Sequence, residues 1–185
     1  CAWSQRRLIA EVHDENAAAL GGVAGHAGLF STAREVAALG QLYLNGGLGV
    51  QPRSSASRIR LLSETTVAEM TRQQAVWNDE RRGIGWMLRS QGVSSAGRYF
   101  SPKSFGHTGF TGTSLWVDPE RELVVALLTN RVYYGRDNAA EILALRQQVC
   151  DAVALIHDFT SNGKSIFIRK GAASRWHDPS GHSGH

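Results

Sequence analysis

Cysteine occurs only at positions 1 and 150 of this 185-residue chain, too few for a disulfide framework or a Cys-based metal site. Lysine is confined to Lys103, Lys164 and Lys170, so chemistry that needs a lysine base has few places to sit. Long apolar runs are missing as well: none reaches the roughly 18 residues that mark a membrane-spanning helix. The opening residues, Cys1-Ala-Trp-Ser-Gln-Arg-Arg7, lack the charged-then-apolar order of a signal peptide. With no initiating Met, the start reads as missing or removed, which leaves the compartment open.

What is present is ordinary for a folded domain: 42% hydrophobic and 19% charged residues speak against disorder. The formal net charge of +4 is unevenly placed. Residues 159–185 hold Lys164, Arg169, Lys170 and Arg175 against Asp178, while the other 158 residues are almost neutral. A basic tail of this kind is a solvated appendage more often than a nucleic-acid site, and no nucleic-acid partner is expected. Residues 1–158 therefore read as one domain portion, with 159–185 as a Gly/Ser/His-containing tail. His177, His182 and His185 lie in that tail, where a Gly/Ser setting offers no preorganised metal site. Neither a metal nor another cofactor is expected.

Glycines at 21, 22, 25 and 28 mark a loop without the G-x-G-x-x-G or Gly-Lys-Ser/Thr spacing of a phosphate cradle. It reads as a tightly packed connector, with His13 and His26 as structural histidines. Thr32-Ala-Arg-Glu35 is a capping box, followed by Val36, Leu39 and Tyr43 at helical spacing and stopped by Asn45-Gly46-Gly47. Ser63 caps a second helix running through Val67 and Met70.

A β-rich part follows, with strands expected at residues 83–89, 114–117 and 123–128. The last two flank Asp118-Pro-Glu-Arg-Glu122, a turn that predicts an antiparallel hairpin. The unbroken apolar run of the final strand predicts burial on both faces. Residues 137–157 form a helix whose Ile142, Leu145, Val149, Val153 and Ile156 should lie across the sheet. The predicted architecture is α/β of the α+β type, an antiparallel sheet flanked by helices.

Between these strands lies Phe105-Gly106-His107-Thr108-Gly109-Phe110-Thr111-Gly112-Thr113, whose glycines allow close backbone approach. This stretch is the candidate wall of an active site. Together with Val12-His-Asp-Glu-Asn-Ala17, Gly-Gly-Val-Ala-Gly-His-Ala-Gly-Leu-Phe-Ser-Thr-Ala over 21–33, Leu-Leu-Ser-Glu-Thr-Thr-Val-Ala-Glu-Met-Thr over 61–71, Gly83-Ile-Gly-Trp86 and Leu127-Leu-Thr-Asn-Arg131, it resembles the serine β-lactamase-related family of class C-type β-lactamases, DD-peptidases and esterases. The resemblance spans residues 10–157 but only about the C-terminal half of such a protein.

Three motifs carry that family's chemistry: S-x-x-K, Y-x-N and K-T-G or H-T-G. The resemblance puts the third on His107, Thr108 and Gly109 as substrate-binding residues, and makes the Phe110 backbone N–H an oxyanion donor. The only S-x-x-K match, Ser161-Asn-Gly-Lys164, follows the H-T-G segment in the tail and reads as chance. Tyr43-Leu-Asn45 belongs to a helical apolar stripe and reads the same way.

By this resemblance the nucleophile, its base and the motif tyrosine lie upstream of Cys1. The implied activity is acyl-enzyme hydrolysis of an ester, amide or peptidoglycan-like substrate. An unperturbed imidazole, with a pKa of about 6.5, is mostly neutral at pH 7. It should anchor a β-lactam carboxylate less firmly than lysine, which favours esterase or peptidase-like activity. The alternative is a noncatalytic binding or scaffold remnant of the same fold. The family implies a periplasmic or secreted location, and the missing half implies exposed apolar faces through which the chain associates.

Overall fold

The computed structural model describes residues 4–49 and 58–161. Cys1 and the tail positions Lys164, His177, His182 and His185 lie outside the described residues. In chain order the elements are helices α1 (Glu15–Ala19), α2 (Ala33–Leu44) and α3 (Glu64–Thr71), strands β1 (Ala75–Trp77), β2 (Glu80–Arg82), β3 (Met87–Leu88), β4 (Phe105–Thr108), β5 (Ser114–Asp118) and β6 (Leu123–Leu127), and helix α4 (Ala139–Ser161). The six strands pair in sequence order as one sheet, antiparallel throughout. This is the architecture that the alternating and helical patterns predict.

Local chemistry explains the helix ends. The Thr32 hydroxyl accepts from Glu35 N while the Glu35 carboxylate accepts from Thr32 N, satisfying two otherwise orphaned donors. Ser63 Oγ accepts from Thr66 N at the start of α3. Helix α2 stops at Asn45, followed by Gly46 and Gly47 in the left-handed region.

Alternation along β5 divides the core in two. Leu115 and Val117 pack with Tyr43, Val67, Trp86, Leu88 and Phe105 beneath α2 and α3. Trp116 packs on the other face with Phe100, Val125, Cys150 and Ala154 beneath α4. Successive strand side chains point to opposite faces, so β5, covered on both, is buried at every position.

Several expectations need correction. The fully buried strand is β5; β6 is at the end of the described sheet and only Val125 in it is buried. Its apolar run predicts enclosure, but a terminal strand has a neighbour on one side only. The strand expected over 83–89 shortens to Met87–Leu88, because Gly83 and Gly85 interrupt it. An unforeseen hairpin, β1–β2, turns at Asn78 and Asp79, both with positive φ (45° and 68°), the geometry of a tight two-residue turn.

Helix α4 also departs from its predicted stripe. Its buried residues are Ile142, Arg146, Cys150, Asp151 and Ala154, with Val149 and Val153 partly buried. Leu145 and Ile156 are exposed. The inward face thus lies about a residue away from the most apolar line, because it is fixed partly by polar anchors. Asp151 Oδ1 accepts from Arg98 N at 2.6 Å and from Tyr99 N at 3.3 Å, tying the β3–β4 connection to the helix. Leu39 of α2 is exposed rather than part of a buried stripe. The glycine loop after α1 closes on itself, with a Cβ at Gly28 set to meet the Gly22 carbonyl, but it leaves Val23 and Leu29 exposed. It is therefore not packed tightly against another element.

Candidate functional site

Strand β4 carries His107 and Thr108 to the edge of a tight turn over residues 109–113. Their register against β5 is His107 to Leu115 and Thr108 to Ser114. The turn closes through Gly109 N donating to Thr113 O at 2.8 Å and Gly112 N donating to Gly109 O at 3.1 Å. A Cβ on Gly109 would collide with Thr113 Oγ1, and one on Gly106 would lie 2.5 Å from the Trp116 ring. The close approach that these glycines permit is thus made to the protein's own β5 strand and turn.

His107 is exposed, and its Nδ1 lies 2.9 Å from the Thr108 carbonyl oxygen. A carbonyl only accepts, so Nδ1 carries the proton in this contact and Nε2 is the ring atom left to face a ligand. Thr108 is half-buried. The Phe110 N–H has no hydrogen-bond partner among the described residues, while the Phe110 ring is 56% exposed. His107, Thr108, Gly109 and the Phe110 amide thus lie along the end of β4 and the turn that follows it.

Phe110 is held by side chains from two distant segments. Arg131 Nε donates to the Phe110 carbonyl at 2.6 Å, and its guanidinium sits 4.5 Å from the ring centroid. The Arg136 guanidinium is 5.5 Å from the same centroid, and the His13 ring stacks at 5.9 Å. Such cation–π contacts combine ring and charge in one surface. Arg136 is itself fixed by Glu15 at 2.7 Å, which joins α1 to the site. Burial, followed by the nearby Arg136 charge, holds the His13 imidazole below its ordinary pKa. Arg131 is locked by Asn138, donating to its Oδ1 at 2.8 Å while the Asn138 amide donates back to the Arg131 carbonyl at 2.7 Å.

From the opposite side, α4 sends Arg146 against the turn. Its Nη2 donates to Gly109 O and to Thr113 O, each at 2.8 Å. The residue is only 8% exposed, and burial, then the Arg131 charge, lowers its pKa from the ordinary guanidinium value. No carboxylate pairs with it among the described residues. Sequence reasoning missed Arg131, Arg136, His13 and Arg146 as partners of this turn. The signal for Arg146 was a charge four residues from both Ile142 and Cys150 on a helix, a position that otherwise calls for an apolar side chain.

The accidental motif matches fall away from this site. Tyr43 is buried in the aromatic cluster with Trp86 and Phe105, at ring-centroid distances of 4.8 and 6.1 Å. Its hydroxyl contacts Met70 Sδ at 3.4 Å. Ser161 is the last residue of α4 and is exposed. At the rise of an α-helix it stands about 22 Å along the axis from Arg146. Among the described residues no group of three or more His, Cys, Asp or Glu side chains is arranged to hold a metal, and no helix is long and apolar enough to cross a membrane.

Known proteins are similar to this chain in sequence and in fold. A putative D-alanyl-D-alanine carboxypeptidase of Salmonella agona is 38% identical over 127 residues, covering 67% of this chain and 27% of that protein. Its counterpart from Salmonella gallinarum is 39% identical over the same shares. The chain thus spans about a quarter of the length of these curated relatives. Among solved structures, a beta-lactamase from Mycobacterium bovis superposes with a TM-score of 0.54 at 25% identity, over 71% of this chain and 46% of that one. The beta-lactamase family profile matches residues 2–149, most of the chain and all of the site around His107, and on that match the chain belongs to the beta-lactamase family.

Proposed function

We propose that this chain supplies the His-Thr-Gly wall and one oxyanion donor of a serine hydrolase, whose nucleophile lies outside these 185 residues. The observation that carries this reading is the unpartnered Phe110 N–H at the end of the His107-Thr108-Gly109 strand. In the reaction a serine hydroxyl adds to an ester or amide carbonyl and the carbonyl oxygen takes up negative charge. The Phe110 amide donates to that oxygen, the alcohol or amine leaves with a proton, and water releases the acyl group. Thr108 and the open Nε2 of His107 hydrogen-bond the polar end of the substrate. The exposed Phe110 ring, backed by Arg131 and Arg136, provides a surface beside it.

The relatives' names favour a D-alanyl-D-alanine peptide as the substrate. Histidine rather than lysine in the first place of the His107-Thr108-Gly109 motif keeps a simple ester as the other substrate class, with β-lactam hydrolysis less favoured. A fluorescent penicillin or fluorophosphonate is expected to label a serine in the product of the full natural gene and to leave the isolated 185-residue chain unlabelled. Labelling of Ser161 in the isolated chain would overturn the external-nucleophile reading. A full gene product that neither labels nor hydrolyses depsipeptide and D-alanyl-D-alanine substrates would instead support a noncatalytic remnant.

A further inference from the structure

Two guanidiniums converge on the peptide units either side of Phe110. The Gly109–Phe110 peptide is trans, so its carbonyl and its N–H point in opposite directions. Arg146 Nη2 and Gly112 N both donate to that carbonyl, at 2.8 and 3.1 Å, which uses its two lone pairs. Holding the oxygen on the α4 side therefore fixes the Phe110 N–H on the side away from α4. The next peptide is held as well, through Arg131 Nε and the Phe110 carbonyl at 2.6 Å. Both rotations that would swing the Phe110 amide are thereby blocked.

The placement of Arg146 is difficult to explain as packing alone. A buried guanidinium with no carboxylate partner is expensive, and its Nε is buried without a hydrogen-bond partner among the described residues. An apolar residue would fit the stripe between Ile142 and Cys150 without that penalty. What the charge does provide is polarisation: a cation hydrogen-bonded to a carbonyl draws density from the amide nitrogen and strengthens the N–H as a donor.

We infer that Arg146 is a positioning residue that aims and polarises the Phe110 N–H, with Arg131 fixing the adjoining peptide. The inference rests on the proposed oxyanion role of Phe110 for its catalytic consequence, but the geometry is testable without turnover. In NMR spectra of the 185-residue chain, a through-hydrogen-bond coupling is expected between Arg146 Nη2 and the Gly109 and Thr113 carbonyl carbons. Arg146→Met should shift the Gly109 carbonyl carbon and the Phe110 amide nitrogen upfield by more than the corresponding atoms of Gly106 and Trp116 in mid-sheet. Methylguanidinium should reverse the shift in Arg146→Ala in a dose-dependent way. If neither truncated variant folds, Arg146→Lys, whose ammonium lacks the planar fork, should move the same two resonances in the same direction by less. Resonances of Gly109 and Phe110 unchanged in a folded variant, or moving no more than those of mid-sheet, would overturn the inference.

The catalytic arm uses the full gene product. Arg146→Lys is expected to lower kcat about tenfold, or about 1.4 kcal/mol, with KM nearly unchanged. An unaltered kcat alongside shifted Phe110 resonances would overturn the catalytic consequence. A wild-type protein without hydrolase activity, but with the Arg146 coupling present, would refute the proposed function and leave the positioning intact.

Discussion

Cys150 shows how one buried residue is made inert. The residue is 2% exposed in the cluster with Trp116, Phe100 and Ala154. Burial, assisted by the adjacent Asp151 charge, pushes its thiol pKa up to about 12. Only the thiolate reacts readily, so Cys150 should resist iodoacetamide at pH 8 in the native protein and be alkylated on unfolding in urea. Peptide mass mapping separates it from Cys1, and rapid native-state alkylation at position 150 would contradict the packing. At this scale the sequence was informative where a residue's chemistry matched its surroundings. Cys150 on an apolar helix face and Tyr43 in an apolar stripe were both legible. Arg146 was not, because its partners are two backbone carbonyls of a distant turn, and backbone acceptors leave no mark in side-chain patterns. His13 and Arg136 escaped for a related reason: they meet at the Phe110 ring only after α1 and the segment before α4 are brought together.

The β5–β6 hairpin depends on a buried carboxylate at its turn. Asp118 is fully buried and accepts from Ser101 N and Ser101 Oγ, each at 2.7 Å, from Glu120 N at 3.0 Å, and from Arg121 Nη1 at 3.2 Å. Burial alone would raise its pKa, but the hydrogen bonds from Ser101, Arg121 and Glu120 outweigh it and hold the carboxyl below its ordinary value. A depressed carboxylate contributes stability that is present above the unfolded-state pKa of about 4 and lost as pH falls through the folded-state value. Asp118→Asn should therefore cost about 2–4 kcal/mol near neutrality, since it presents an amide N–H₂ to a cage of donors. The gap in urea midpoint between wild type and variant should stay constant down to about pH 4 and narrow below it. A gap that widens in acid would refute the assignment. The element itself was readable, because Asp-Pro before an apolar run specifies a turn between strands. Strands shortened by Gly83 and Gly85, and a hairpin turning on Asn78-Asp79 in place of the stronger Asn-Gly signal, were hidden by weak local preference that tertiary pairing overrides.

For the whole molecule, the decisive quantity is the apolar surface left in water. On α4, Leu145, Leu155 and Ile156 are each between 41% and 49% exposed. Strand β6, an apolar run from Leu123 to Leu127, ends the described sheet and is mostly half-buried. An apolar terminal strand beside an apolar helix line is a surface that water disfavours and that another strand or helix can cover. The same geometry explains why burial of β6 was misjudged from sequence: hydrophobicity reports what a strand can bury, whereas exposure depends on the neighbours present. The 185-residue chain is therefore expected to self-associate, with a mass by sedimentation equilibrium that rises across the micromolar range and an apparent melting temperature that rises with concentration. Leu155→Glu with Ile156→Lys places opposite charges on the helix line without touching either core cluster. The double variant should shift the association midpoint at least tenfold towards higher concentration, while the far-ultraviolet circular dichroism stays native. A wild-type chain that sediments as a monomer throughout, with one sharp concentration-independent thermal transition, would show that this surface is tolerated in water and that the fold closes without a partner.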